Sequence, residues 1–155
     1  MALEQVREYL QRWNREGDIK ELTSSMATVA DAARALGVSE ARIAKSISLK
    51  KSAGAIVLVV AGDMKLDNRK FKGSFGFKAT MLSPLEALAF TGHPVGGICP
   101  FGLPLGIEVF LDISLQRFET VFPACGSSNS AIELTIAQLQ EYSGSSIWVD
   151  VCKAR

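Results

Sequence analysis

The stretch richest in chemical possibility carries no charge. Val95-Gly96-Gly97-Ile98-Cys99-Pro100-Phe101-Gly102 holds three glycines and a proline in eight residues, and no charged side chain falls between Pro94 and Leu105. Glycine lets a backbone approach a ligand closely and take positive φ, while proline fixes the direction of exit. Such a loop offers peptide N–H groups, donors suited to a carbonyl or phosphate oxygen. The same residues would also make a plain tight turn between a helix and a strand. Nucleotide-loop patterns do not fit: no lysine follows the glycines and no Gly-x-Gly-x-x-Gly occurs.

Other candidates lie far from this loop in sequence. Lys45 opens Lys45-Ser46-Ile47-Ser48-Leu49, whose period-two alternation puts it on one strand face with Ile47 and Leu49. Strand lysines usually face solvent, but this parity brings an ammonium to the edge of the buried side. Asp112 is either a turn-capping carboxylate before Ser114 or a pocket residue. Gly126-Ser127-Ser128-Asn129 is either a polar turn or a second pocket loop. From Asp63 to Lys78, the basic residues Lys65, Arg69, Lys70, Lys72 and Lys78 outweigh Asp63 and Asp67, with three phenylalanines interleaved. A solvated face is the default there, yet it is the best phosphate-contacting patch in the chain.

Much chemistry lacks material. His93 is the only histidine, so His-dependent triads and multi-histidine metal sites have nothing to build on. Its place before a proline suggests a solvated turn residue. Cys99, Cys125 and Cys152 are odd in number and widely spaced, which argues against disulfides and zinc. Cys99 reads as a small buried apolar residue rather than a nucleophile. Net charge is +1, too low for wrapping nucleic acid but no bar to gripping one RNA end.

The elements that must position these groups follow from periodicity and caps. Leu3, Val6, Tyr9, Leu10 and Trp13 trace a helical stripe ending at Gly17. Ile19–Leu22 suits a short strand, and Thr28 caps an alanine-rich helix ending at Gly37. Ser39 opens a brief helix to Ile43. Ile56–Ala61 is an unbroken apolar run, the mark of a strand buried on both faces. Asp67 caps a short helix. Ser83-Pro84-Leu85-Glu86 combines N-cap, N1 proline and capping-box glutamate, with a stop at Gly92. Glu108–Asp112 is a strand, Thr120–Ala124 and Ala131–Leu134 form a strand pair, Thr135 and Gln138 box a helix ending near Gly144, and Ile147–Val151 closes the chain as a strand. At 155 residues, 48% hydrophobic and 21% charged, this predicts one soluble α+β domain over 1–155. No apolar run approaches the roughly 20 residues of a membrane span, and the N-terminus is too charged for a signal peptide, so the chain is expected in the cytoplasm.

Four blocks in order, Ala44–Leu49, Gly96–Leu103, Val109–Leu115 and Gly126–Leu134, resemble the YbaK-type aminoacyl-tRNA deacylases, relatives of the editing domain inserted in bacterial prolyl-tRNA synthetases. The resemblance runs from about Thr28 to Leu139. It implies a mixed, strongly curved, barrel-like sheet flanked by helices, with a pocket between Lys45 and the Gly96–Pro100 loop. It implies a trans-acting hydrolase of the ester of mischarged tRNA, in which water attacks without metal or other cofactor. Lys45, Gly96 and Gly97 would carry catalysis. Thr28, Ile98, Pro100, Phe101, Gly102, Asp112, Gly126, Ser127 and Asn129 would bind substrate. The basic stretch would meet the acceptor stem beyond the 3′ terminal adenosine. An aminoacyl-tRNA synthetase is a further implied partner; a membrane is not. Some relatives carry an acid or imidazole where this chain has Ala131, which leaves the amino acid open. The competing reading is a module that binds aminoacyl-tRNA or nucleotide without turnover, and a weaker one is a hydrolase of another small ester or amide.

Overall fold

The computed structural model describes residues 2–155. In chain order it comprises α1 (Ala2–Leu10), β1 (Lys20–Glu21), α2 (Val29–Leu36), β2 (Ile43–Lys51), β3 (Gly54–Ala61), β4 (Met64–Leu66), α3 (Asn68–Phe75) and α4 (Pro84–Thr91). The second half adds β5 (Glu108–Asp112), β6 (Thr120–Pro123), β7 (Ser130–Ala131), β8 (Leu134–Thr135), α5 (Ile136–Ser143), β9 (Trp148–Val149) and β10 (Cys152–Ala154). Six strands make one mixed sheet in the order β8-β6-β2-β3-β5-β9, curled into a half-barrel, while β1–β7 and β4–β10 are small antiparallel pairs.

The unbroken apolar run explains the centre of this sheet. β3 lies between β2 and β5, and Ile56 to Ala61 have no exposed surface. Alternation sends Ile56, Leu58 and Val60 to one face, against Ile47, Leu49, Phe71 and Phe110. Val57, Val59 and Ala61 go to the other, against Val6, Leu10, Phe101, Leu115 and Leu139. Each fully buried aliphatic side chain is worth about 1.5–3 kcal/mol relative to exposure. α1 thus lays its apolar stripe on the domain, and α3 covers the opposite face through Phe71.

The helix ends follow the caps. Thr28, Asp67, Ser83 and Thr135 each accept from backbone N–H groups of their first turns, with full capping boxes at Ser83/Glu86 and Thr135/Gln138. Ser39 differs: the turn after it, Glu40–Arg42, is a 3-10 helix without a side-chain cap bond. The last strand is also shorter than its apolar pattern suggested. Val151 N–H donates to Asp112 Oδ1 at 2.9 Å, which diverts the chain from the large sheet into β10, paired with β4.

Candidate functional site

The site begins with an interruption in the sheet. β2 pairs along its length with β3, from Ala44 opposite Ala61 to Lys51 opposite Gly54. Its other edge meets β6 only at Ile43 and Ala44. It then meets the segment 80–82, where Lys50 N–H donates to Thr80 O at 2.8 Å and Leu82 N–H to Ser48 O at 3.2 Å. Between these contacts the edge from Lys45 to Ile47 is open, and a cavity of about 500 Å³ fills the gap. Its walls are apolar, from Val29, Ala32 and Leu36 of α2 and from Ile43, Phe122 and Ala131. Gly96 and Ile98 bring the glycine loop to it, and among the described residues Lys45 and Arg155 are the only charged ones lining it.

Lys45 shares the Ile47 and Leu49 face, as its parity required, and has no ion-pair partner among the described residues. Partial burial holds its pKa below the ordinary lysine value, and the neighbouring Arg155 cation lowers it further. Arg155 is brought there by β10, where Ala154 pairs with Met64, and by its N–H donating to Asp63 O at 3.2 Å. Sequence reasoning missed Arg155, because nothing in so short a strand pattern links it to β2. It missed Ser46 as well, which lines the cavity from the opposite strand face with a buried Oγ that has no partner among the described residues.

The glycine loop divides into a cavity part and a buried part. Gly96 has φ +94°, and a Cβ there would stand 3.4 Å from Ala27 Cβ and 3.5 Å from Ser128 Cβ. The N–H groups of Gly96 and Ile98 have no acceptor among the described residues. Gly97 is a correction: its N–H donates to Pro94 O at 2.9 Å, so it cannot serve an oxyanion in this geometry. Its small size matters for packing instead, since a Cβ would lie 2.6 Å from Gly126 C and Ser127 N. Pro100, Phe101 and Gly102 also lie off the cavity. Pro100 is buried, Phe101 is buried in the core and stacks on Tyr9 at 6.4 Å, and Gly102 passes beside Gln5 of α1.

His93 anchors this loop and is fully buried, contrary to the solvated turn expected of it. Its Nε2–H donates to Phe101 O at 2.8 Å, and its backbone N–H to Thr91 Oγ1 at 3.1 Å. Burial lowers its pKa, and the bond to the Phe101 carbonyl partly offsets that. Cys99, beside it, has its thiol pushed up to about 12 by burial, which rules out a thiolate nucleophile at neutral pH.

The remaining expected residues hold the frame. Thr28 lines the cavity, but its hydroxyl caps α2 by accepting from Asp31 N–H. Asp112 does not line it: the carboxylate is 1% exposed and accepts from Ser114 N–H at 3.0 Å and Val151 N–H at 2.9 Å, which is the turn-capping role. Gly126, Ser127 and Asn129 stand behind the wall rather than in it. Gly126, with φ +94°, lies against the Ala2 backbone. Ser127 Oγ is 2.6 Å from Ser130 Oγ, and Asn129 Nδ2–H donates to Leu22 O at 3.0 Å. This loop therefore clamps the segment 22–26 that leads into α2. No group of three or more His, Cys, Asp or Glu side chains comes together among the described residues.

The model of the aminoacyl-tRNA editing domain family matches residues 23–142 of this chain. The chain belongs to that family. The Bacillus subtilis (strain 168) protein YwhH is 56% identical to this editing domain over 154 residues, which is 99% of this chain and 98% of the relative. A proline–tRNA ligase of Pelobacter propionicus is 34% identical over 99 residues, 63% of this chain but only 17% of the ligase. In fold, the editing domain superimposes on a solved structure proposed to be a trans-editing enzyme for prolyl tRNA synthetase, with TM-score 0.88 and 25% identity, covering 99% of this chain and 98% of that one. No helix of the described residues is long and apolar enough to cross a membrane.

The basic stretch of the editing domain lies outside the cavity. Lys65, Arg69, Lys70, Lys72 and Lys78 are all exposed, on β4, on α3 and just beyond it. Lys70 is engaged within the protein, its Nζ 3.1 Å from Asp150 Oδ1 and 3.0 Å from Cys152 O. The three phenylalanines pack inward: Phe71 is fully buried, Phe75 and Phe77 are half-buried against it and each other, and Phe75 also meets Phe110.

Proposed function

We propose that this editing domain hydrolyses the ester of mischarged tRNA, in trans and with water as nucleophile. The observation that carries this reading is the gap in β2: an apolar cavity with two cations at its rim and unengaged loop N–H groups in its wall. The aminoacyl side chain fits the apolar walls, which favours an uncharged, apolar amino acid, since no Asp or Glu lines them. The phosphate of the terminal adenosine meets Lys45 and Arg155, where no internal carboxylate competes for either cation within the cavity. The ester carbonyl points at the N–H groups of Gly96 and Ile98, and each well-placed oxyanion donor is worth about 3–4 kcal/mol in the transition state.

Water adds to that carbonyl, the ribose oxygen departs with a proton, and free amino acid is released. No cavity-lining residue is a histidine or a carboxylate, so proton transfer falls to the ribose hydroxyl beside the ester. Holding ester and water together then supplies much of the rate. The resemblance to proline–tRNA ligases and to the trans-editing structure supports tRNA for proline, carrying a wrong amino acid, as the substrate. The test is a panel of charged tRNAs incubated with the protein. Accelerated loss of ester from a mischarged tRNA for proline is the expected result. Binding without accelerated loss on every member would replace the hydrolase by a binding module.

A further inference from the structure

β2 offers the cavity more than side chains. Ser48 O and Lys50 N–H both point to the outer edge, where they bond the 80–82 segment. Main-chain groups alternate along an antiparallel strand, so residues of the same parity direct N–H and C=O to the same edge. Ser46 is of that parity, and it lies in the gap between β6 and residues 80–82. Its N–H and C=O therefore face the cavity with no strand opposite. Its Oγ is buried and without a partner among the described residues. Of the other hydroxyls lining the cavity, Thr28 Oγ1 caps α2 and Ser130 Oγ is bonded to Ser127, while Ser48 sits on the same strand face one rung further on, where its C=O is already taken by Leu82 N–H. A buried hydroxyl and a strand edge left unmatched are costly unless a ligand completes them.

Charge decides which ligand group belongs there. Lys45 and Arg155 stand at the rim, Lys45 on the strand face opposite the Ser46 side chain. An aminoacyl ester carries its own cation, the α-ammonium, which those two would repel. Resting on the deacylase reading above for the identity of the substrate, we propose that Ser46 is a positioning residue that receives the α-ammonium. Its outward C=O and its Oγ accept two of the three N–H groups, so that the amino acid lies in the gap like an added strand residue. That placement turns the ester toward Gly96 and Ile98 and leaves the phosphate to the rim cations.

The test uses two stable amides of 3′-amino-3′-deoxyadenosine 5′-monophosphate, one acylated with alanine and one with propionic acid. They differ only in the amine, and affinity for each is measured with wild type and Ser46→Ala. Wild type should prefer the alanyl compound. Ser46→Ala should weaken alanyl binding about tenfold, as expected when a hydrogen bond to a charged group is removed, and leave propionyl binding unchanged. Equal weakening of both amides would make Ser46 structural and overturn the proposal. No change in either would overturn it too, as would a wild type that fails to favour the amine, absence of binding included. Since binding is measured without turnover, a protein that binds as expected yet hydrolyses no charged tRNA would refute the deacylase reading alone.

Discussion

At the scale of single residues, the proposed site rests on Lys45 and Arg155; no Asp or Glu lines the cavity with them, and Asp63, outside the lining, interacts with Arg155 alone of the two. Lys45→Ala should lower kcat/KM for the susceptible aminoacyl-tRNA roughly 10- to 100-fold, the worth of a charge-assisted hydrogen bond, while the fold survives because the partly exposed Lys45 side chain makes no ion pair among the described residues. The pH profile tests Arg155. Lys45 has a lowered pKa, caused first by burial and then by Arg155, so its cation is intact at low pH and is lost as pH rises through that value. Arg155→Gln removes the second cause, and the alkaline fall in kcat/KM should move to higher pH once spontaneous ester loss is subtracted. An unmoved fall would mean that another group titrates. Lys45 was legible in the sequence because strand parity is local. Arg155 and Ser46 were not, since their importance arises from where β6, residues 80–82 and β10 stop along β2, which no local pattern encodes.

At the scale of elements, the capped helices and the central strand could be read directly, because caps and an apolar run are local causes. The loop between α4 and β5 could be located but not dissected. Gly96 and Gly97 are adjacent and alike in sequence, yet only the first has an unengaged N–H beside the cavity. Substitution should separate them. Gly97→Ala drives a Cβ to 2.6 Å from the 126–127 backbone, so it should lower Tm and activity together. Gly96→Ala meets only ordinary contacts but keeps a left-handed φ of +94°, so it should cost about 1–2 kcal/mol of stability and lose more in kcat than in folding. Calorimetry beside deacylation assays distinguishes the two. The same loop carries a pH dependence through His93. Burial makes the neutral imidazole the favoured form in the fold, so the folded pKa lies below the unfolded value of about 6.5. Its contribution to stability is complete above about pH 6.5 and falls away as pH drops toward the folded value. Melting curves between pH 7.5 and 5 should show a decline that His93→Gln flattens; a decline of the same slope in the variant would exclude His93 as its source.

At the scale of the whole molecule, the curled sheet has two faces with different work. The face of Val57, Val59 and Ala61 is sealed by α1, α5 and the glycine loop, and it supports the cavity from behind. The opposite face carries α3, and its β4–β10 pair runs to Arg155 at the cavity rim, with Lys65 opposite Lys153 on the way. Basic residues on that side therefore lead from open solvent to the rim, although the whole chain has a net charge of only +1. An acceptor stem laid along this side would keep its terminal adenosine at Lys45 and its phosphates on α3. Arg69 and Lys72 are the residues for a test, because Lys70 is held by Asp150 and its removal would disturb β10. Changing both to glutamine should raise KM for charged tRNA several-fold and reduce the slope of log affinity against log salt by up to about 2, roughly one unit for each phosphate no longer neutralised. Turnover of a minimal aminoacyl-adenosine, which has no stem to bind, should stay within about twofold of wild type. If both substrates lose equally, the helix acts through the fold rather than the RNA. If neither changes, the stem leaves the cavity by another side, and the exposed charges of α3 serve solubility alone.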